Sequence, residues 1–146
     1  MIVAADATIL VRATKRADGP ARRVIDAIIA NPEHTLVVSE YVLGEVGKVL
    51  LYPRIQELYR LTPDEVHEHI GLLRSVAEIV EPVKGRPVVL SDPRDDPVLY
   101  TAVSGCADVL CTRDRHFFDP YVVAFCAALD MEVMDDLRLL VRLGLS

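Results

Sequence analysis

The chain has 146 residues, 51% of them hydrophobic and 26% charged, which is enough apolar material to bury a core; a single soluble domain over residues 1–146 is expected. A formal net charge of -6 excludes nucleic-acid binding by overall electrostatics, since phosphates are neutralised by Lys and Arg, so any such function has to be local. YVVAFCAAL at 121–129 is too short to cross a bilayer, IVAA at 2–5 ends at Asp6 without a basic flank, and three cysteines without C-x-x-C spacing suit reduced thiols, so no membrane contact and a cytoplasmic location are expected.

Short runs rich in Val and Ile recur along the chain, separated by helical patterns. IVAA (2–5) predicts the first strand. Gly19-Pro20 opens a helix through about Ala30, because proline at the first helical position forfeits no hydrogen bond, and Asn31-Pro32 closes it. TLVV (35–38) predicts the second strand, and Ser39 is the natural N-cap of a helix to about Leu51, ended by Pro53 and followed by a short helical segment at 54–60. TPDE at 62–65 reads as a capping box opening a helix to about Ala77. EIVEPV (78–83) is the third strand. Pro97 then reads as the first position of a further helix with Asp96 as its N-cap. DVLC (108–111) and MEVM (131–134) complete the strands, with Cys106 and Cys111 expected in the core. Strands this short and apolar, alternating with helices, imply an α/β fold in three layers, a small parallel sheet flanked by helices.

The acids are the informative residues. Asp6 and Asp114 both follow strands, and the carboxyl edge of an open α/β sheet is where ligands bind. In LSDPRDDPVL (90–99), Asp92 precedes Pro93 and suits a turn, Asp96 has the capping task, and Asp95 has no evident local role. Glu45 falls on the flank of the apolar stripe made by Val42, Val46, Val49 and Leu50, whereas Glu40 points away from it. Four carboxylates at ~5 Å would repel by roughly 3 kcal/mol per pair at an effective dielectric near 20. Either some protonate or a divalent cation sits among them, and an all-oxygen ligand set suits Mg²⁺ or Mn²⁺ better than zinc.

His67 and His69, two apart on one helix, are expected at the surface. His116 lies near Asp114 or packs beside Phe117 and Phe118. The basic stretch Arg12, Lys15, Arg16, Arg22 and Arg23 is either a solvated face or a basic rim.

Taken in order, IVAADATILVRA, VVSEYVLGEV and DPRDDPVLYTAVSGCADVLCTRDRHF resemble a PIN domain, the nuclease module of VapC-like toxins. The resemblance implies a metal-dependent ribonuclease centre whose four acids fall on Asp6, Glu45, Asp95 and Asp114, holding one or two Mg²⁺ or Mn²⁺ ions. The family's alanine seven residues after the third acid falls on Ala102, which selects Asp95 over Asp96, the latter then a supporting polar residue. Thr112 and Ser39 match the family's hydroxyl companions. Where PIN domains place Thr or Ser after the first acid, this chain has Ala7, leaving Thr8 to supply a hydroxyl. Arg12, Arg113 and Arg115 are then candidates for RNA phosphates. An antitoxin and a homodimer are the implied partners. A PIN-fold module that binds RNA or protein without catalysis is the alternative. A receiver or haloacid-dehalogenase-like phosphotransfer domain fits less well, because Asp6-Ala7-Thr8 lacks an Asp two positions after the first and TLVV ends in Ser39.

Overall fold

The computed structural model describes residues 1–145. Five parallel strands form one sheet: β1 (Ile2–Ala5), β2 (Thr35–Val38), β3 (Glu78–Ile79), β4 (Val109–Cys111) and β5 (Glu132–Met134), in the order β3-β2-β1-β4-β5. β1 is central, with Val3 beside Leu36 on one flank and Val109 on the other. Helices join the strands: α1 (Ala7–Leu10), α2 (Pro20–Ala30), α3 (Glu40–Leu50), α4 (Pro53–Tyr59), α5 (Pro63–Val76), α6 (Asp96–Ser104), α7 (Pro120–Ala127) and α8 (Asp136–Arg142). The inner strands are buried along most of their length, as a sheet covered on both faces requires. The α/β class and the parallel, helix-flanked sheet read from the sequence are both present.

Local signals act as expected at most helix starts. Ser39 accepts the Val42 N–H at the head of α3, and Thr62 and Glu65 form the reciprocal capping box of α5. Gly105, just past α6, lies so close to β2 that a Cβ there would run into the Val37 side chain.

Several expectations fail for identifiable reasons. The third strand stops at Ile79 because Pro82 and Pro87 have no N–H for a ladder, and the chain leaves the sheet to run across α6. On the way, Val83 N–H donates to the Ser104 hydroxyl. Asp96 does not cap α6. It is the first helical residue, and its Oδ1 turns back to accept the N–H groups of Val88 and Val89 at 3.0 and 2.9 Å. Cys106 is exposed rather than in the core, in a left-handed turn (φ 53°) just after α6, while Cys111 and Cys126 are buried. His67 is exposed, but His69 is buried, its Nε2 3.0 Å from the Leu10 carbonyl, and burial lowers its pKa.

Candidate active site

The parallel sheet delivers Asp6 and Asp114 to the same edge, because β1 and β4 are neighbours and both run toward it. Asp6 leaves β1 with its N–H bonded to the Cys111 carbonyl at 3.2 Å. Its carboxylate is almost fully enclosed and well supplied with donors: Oδ1 accepts the Thr8 hydroxyl at 2.5 Å and the Ile9 N–H at 3.4 Å, and Oδ2 accepts the Thr112 hydroxyl at 2.5 Å. Thr112 in turn accepts the Asp114 N–H, and Thr8 accepts the Arg113 N–H, both at 2.9 Å. The T-R-D segment after β4 and the D-A-T segment after β1 are thus laced together through two hydroxyls. Burial outweighs these hydrogen bonds and pushes the Asp6 carboxyl up to about 6, with Asp114 adding a smaller like-charge contribution.

Asp95 arrives from the other side, at the end of a short 3-10 turn, Pro93–Asp95, capped by the Asp92 side chain. Burial and then the neighbouring Asp114 carboxylate drive its carboxyl up to about 8, and Glu45 contributes a smaller effect. Its Oδ2 is buried without a hydrogen-bond partner. Glu45 is half-buried on α3, close enough to Tyr41 to help hold that hydroxyl's pKa near 12, after the larger effect of burial. The four sequence-selected acids therefore form a chain of influence, Asp6 to Asp114 to Asp95 to Glu45. They do not form a preassembled cage: among the described residues no three Asp, Glu, His or Cys side chains are arranged to hold an ion.

The chemistry of the set nonetheless suits a hard divalent cation. All donors are oxygens, burial and a like-charged neighbour raise two of the carboxyls well above their ordinary range, and one buried carboxylate oxygen has nothing to bind.

The supporting residues divide. Thr8 and Thr112 touch Asp6 directly. Ser39 is buried, caps α3, which carries Glu45, and accepts the Thr101 hydroxyl of α6 at 2.8 Å. Asp96 holds the segment over α6 and faces away from this role. Arg12 donates to the Thr8 carbonyl at 2.6 Å, Arg115 is exposed, and the Arg113 guanidinium is bound to Asp136. His116 Nδ1 is 2.7 Å from the Ser91 hydroxyl, and its N–H caps onto Asp114 Oδ1 at 3.0 Å.

Residues 3–116 match the family described as PIN domain. The chain belongs to the PIN-domain family. Members of this family are generally nucleases. Among solved structures, this PIN domain is similar to PAE2754 from Pyrobaculum aerophilum, at 21% identity and a TM-score of 0.62 over 100% of this chain and 91% of that one. It is also similar to a chain of VapBC2 from Rickettsia felis, solved bound to a DNA fragment from their promoter, at 14% identity and a TM-score of 0.58 over 92% of this chain and 98% of that one. Identities this low speak to the fold. No curated protein matches the chain. Among the described residues no helix is long and apolar enough to cross a membrane.

Sequence reasoning missed several residues of this PIN-domain site. Asp136, buried behind Arg113, follows β5 just as Asp6 and Asp114 follow their strands, and that shared placement was the available signal. Tyr41, Lys48, Tyr52 and Arg94 border a cavity of about 300 Å³ beside Glu45 and Asp95, and no sequence pattern marks them.

Proposed function

We propose that this PIN-domain protein is a Mg²⁺- or Mn²⁺-dependent endoribonuclease, the toxin component of a toxin-antitoxin pair, acting in the cytoplasm as a single domain. The observation that carries the reading is Asp95: a buried carboxyl at the carboxyl edge of the sheet, within reach of the Asp114 charge and keeping one oxygen unpartnered. Asp6, Asp95, Asp114 and Glu45 would hold the ion or ions. A bound divalent ion supplies an activated water and neutralises charge gathering on the phosphate oxygens during in-line displacement.

The chain's own residues set the stage for that chemistry. Thr8 and Thr112 fix both oxygens of Asp6, so its orientation does not depend on what binds. Asp95 without a cation retains its proton near neutral pH, and that proton has to leave before Oδ2 serves as a ligand. Arg12 and Arg115 are free of carboxylate partners among the described residues and are cations open to flanking phosphates, a role less open to Arg113 because of Asp136. A cognate antitoxin protein and a homodimer complete the proposal.

The test is RNA cleavage in Mn²⁺ or Mg²⁺ by the wild-type protein and by Asp6→Asn and Asp95→Asn. Loss of cleavage in both variants is expected, and undiminished cleavage in either removes that residue from the site.

A second reading, a PIN module that binds RNA or protein without catalysis, draws on Ala7 in place of a hydroxyl residue and on the absence of a preassembled cage among the described residues. Calorimetric Mn²⁺ titration separates the two. Binding that vanishes in Asp114→Asn supports the enzyme, and no binding at millimolar metal supports the module.

A further inference from the structure

The cavity beside Asp95 and Glu45 has a composition that a metal centre alone does not require. Its volume is about 300 Å³, at the small end of the range for ligand pockets. Two phenol rings border it, Tyr41 at 38% and Tyr52 at 53% exposure. Tyr41 is not a loose surface ring. Its hydroxyl donates to the Arg94 carbonyl at 2.6 Å, which ties α3 to the turn that carries Asp95 and fixes the orientation of the ring. Tyr52 stands at the joint between α3 and α4, in extended backbone.

The charges around these rings have a consistent arrangement. Three acids line the wall, Glu45, Asp92 and Asp95, and none offers a phosphate a positive partner, so the moiety that enters has to be uncharged. Lys48, which has no carboxylate partner among the described residues, brings positive charge to the same cavity, while the Arg94 guanidinium at its edge is paired with both oxygens of Asp92 at 3.0 and 3.2 Å. A flat neutral ring flanked by anionic groups is the ligand that matches aromatic faces with a cation beside them, and that is the chemistry of a nucleotide within a strand.

We propose that this cavity is a nucleobase subsite, in which one unstacked base of a single-stranded nucleic acid lies against Tyr52 and Tyr41 while Lys48 meets an adjoining phosphate. A base held in a duplex is stacked and paired on both sides and cannot enter, so the subsite selects single strands. Because Asp95 and Glu45 form its wall, a seated base brings its strand alongside the residues proposed to hold the ion. The biological purpose of the subsite rests on the nuclease reading, while its existence is testable without cleavage.

The probe is a short RNA carrying one 2-aminopurine, used as a single strand, as a duplex and as the DNA equivalent, with EDTA present so that no strand is consumed. Tyr52→Ala is expected to weaken single-strand binding roughly tenfold, the size of one lost base–aromatic stack, and to abolish the 2-aminopurine quenching seen with wild type. Tyr52→Phe, which keeps the ring, is expected to restore both. Duplex binding is expected to be weaker in wild type and indifferent to Tyr52→Ala. RNA and DNA strands bound alike indicate that the base is what is read, and tighter RNA binding adds a ribose contact; either outcome supports the subsite. Equal single-strand affinity for wild type and a Tyr52→Ala protein of unchanged melting temperature overturns it, as does no binding of either strand, the result expected if the cavity serves a protein partner. Cleavage is scored separately: Tyr52-dependent binding without cleavage sinks the nuclease reading alone, and cleavage without Tyr52 dependence sinks the subsite alone.

Discussion

Asp136 grips the Arg113 guanidinium with both carboxylate oxygens, at 2.7 and 3.2 Å, from a fully buried position at the start of α8. Arg113 is itself one hydrogen bond from the Asp6 cradle, since its N–H donates to Thr8. The pair thus fastens the segment between Thr112 and Asp114 to the last helix, and its two partners differ in their access to water. The Arg113 side chain is 37% exposed and that of Asp136 1%.

This asymmetry predicts unequal costs. Arg113→Met strands a buried carboxylate and is expected to cost about 3–5 kcal/mol. Asp136→Asn leaves a cation that can turn toward solvent and is expected to cost about 1–2 kcal/mol, nearer the net worth of a charge-assisted hydrogen bond. Urea denaturation of the two variants checks the order, and a costlier Asp136→Asn contradicts it.

Asp95 predicts a stability gain on substitution. Its folded-state carboxyl is raised to about 8 from an ordinary value of 3.8, so the folded protein holds a proton that the unfolded chain has already released. The stability tied to that proton is complete below pH 3.8 and is lost as pH rises through about 8. Asp95→Asn removes the loss. The metal-free variant should melt higher than wild type at pH 8, by several degrees, with the gap closing toward pH 4. The variant should also lose the stabilisation that Mn²⁺ gives the wild type. A lower melting temperature for the variant at pH 8 would count against a proton-starved Asp95.

Thr112→Val tests the Asp6 cradle. The Thr112 hydroxyl is the strongest hydrogen bond lowering the Asp6 pKa, so without it the carboxyl should titrate above its present value of about 6. Leaving one buried carboxylate oxygen and the Asp114 N–H unpaired should also cost about 1–3 kcal/mol. Carboxyl-carbon NMR titration of the metal-free protein reads the first effect and denaturation the second. An Asp6 titration that does not move would show that Thr112 has no part in orienting it.

The fold was legible because its inner strands are short, apolar and buried along most of their length, so each stands out against the amphipathic helices that cover it. The acids after β1 and β4 were legible for a related reason: a strand end fixes where the next residue goes. The choice between Asp95 and Asp96 depended on more than the sequence pattern, and the true function of Asp96 is non-local. It binds Val88 and Val89, which pass by only after the chain has left the sheet at Ile79. His69 and Cys106 misled for similar reasons. One is buried with its ring against the Leu10 carbonyl, 59 residues away, and the other is expelled by a turn in which the cysteine itself, one place after Gly105, takes the left-handed conformation.

The buried His69 gives a second pH prediction, opposite in sign to that of Asp95. Burial holds its folded pKa below 6.5, so beneath pH 6.5 the unfolded chain binds a proton that the folded protein refuses, and stability falls as pH falls. His69→Gln should flatten this dependence between pH 6.5 and 5, where one differing proton amounts to at most about 1.4 kcal/mol per pH unit. Identical pH slopes for wild type and variant would place the sensitivity elsewhere.

The central position of β1 has a consequence in time. The first strand made is completed on one flank only by β4, and the Asp6 N–H pairs with Cys111, so the D-A-T and T-R-D segments meet only after three quarters of the chain exists. At a translation rate of about 5–20 residues per second, the interval between synthesis of the two segments is roughly 5–20 s. During that time the N-terminal half carries Asp6 and Glu45 but neither of the other acids. On the proposed function, a nascent chain is expected to be inert until the segment carrying Asp114 has left the ribosome, which gives a protective partner that long to be made.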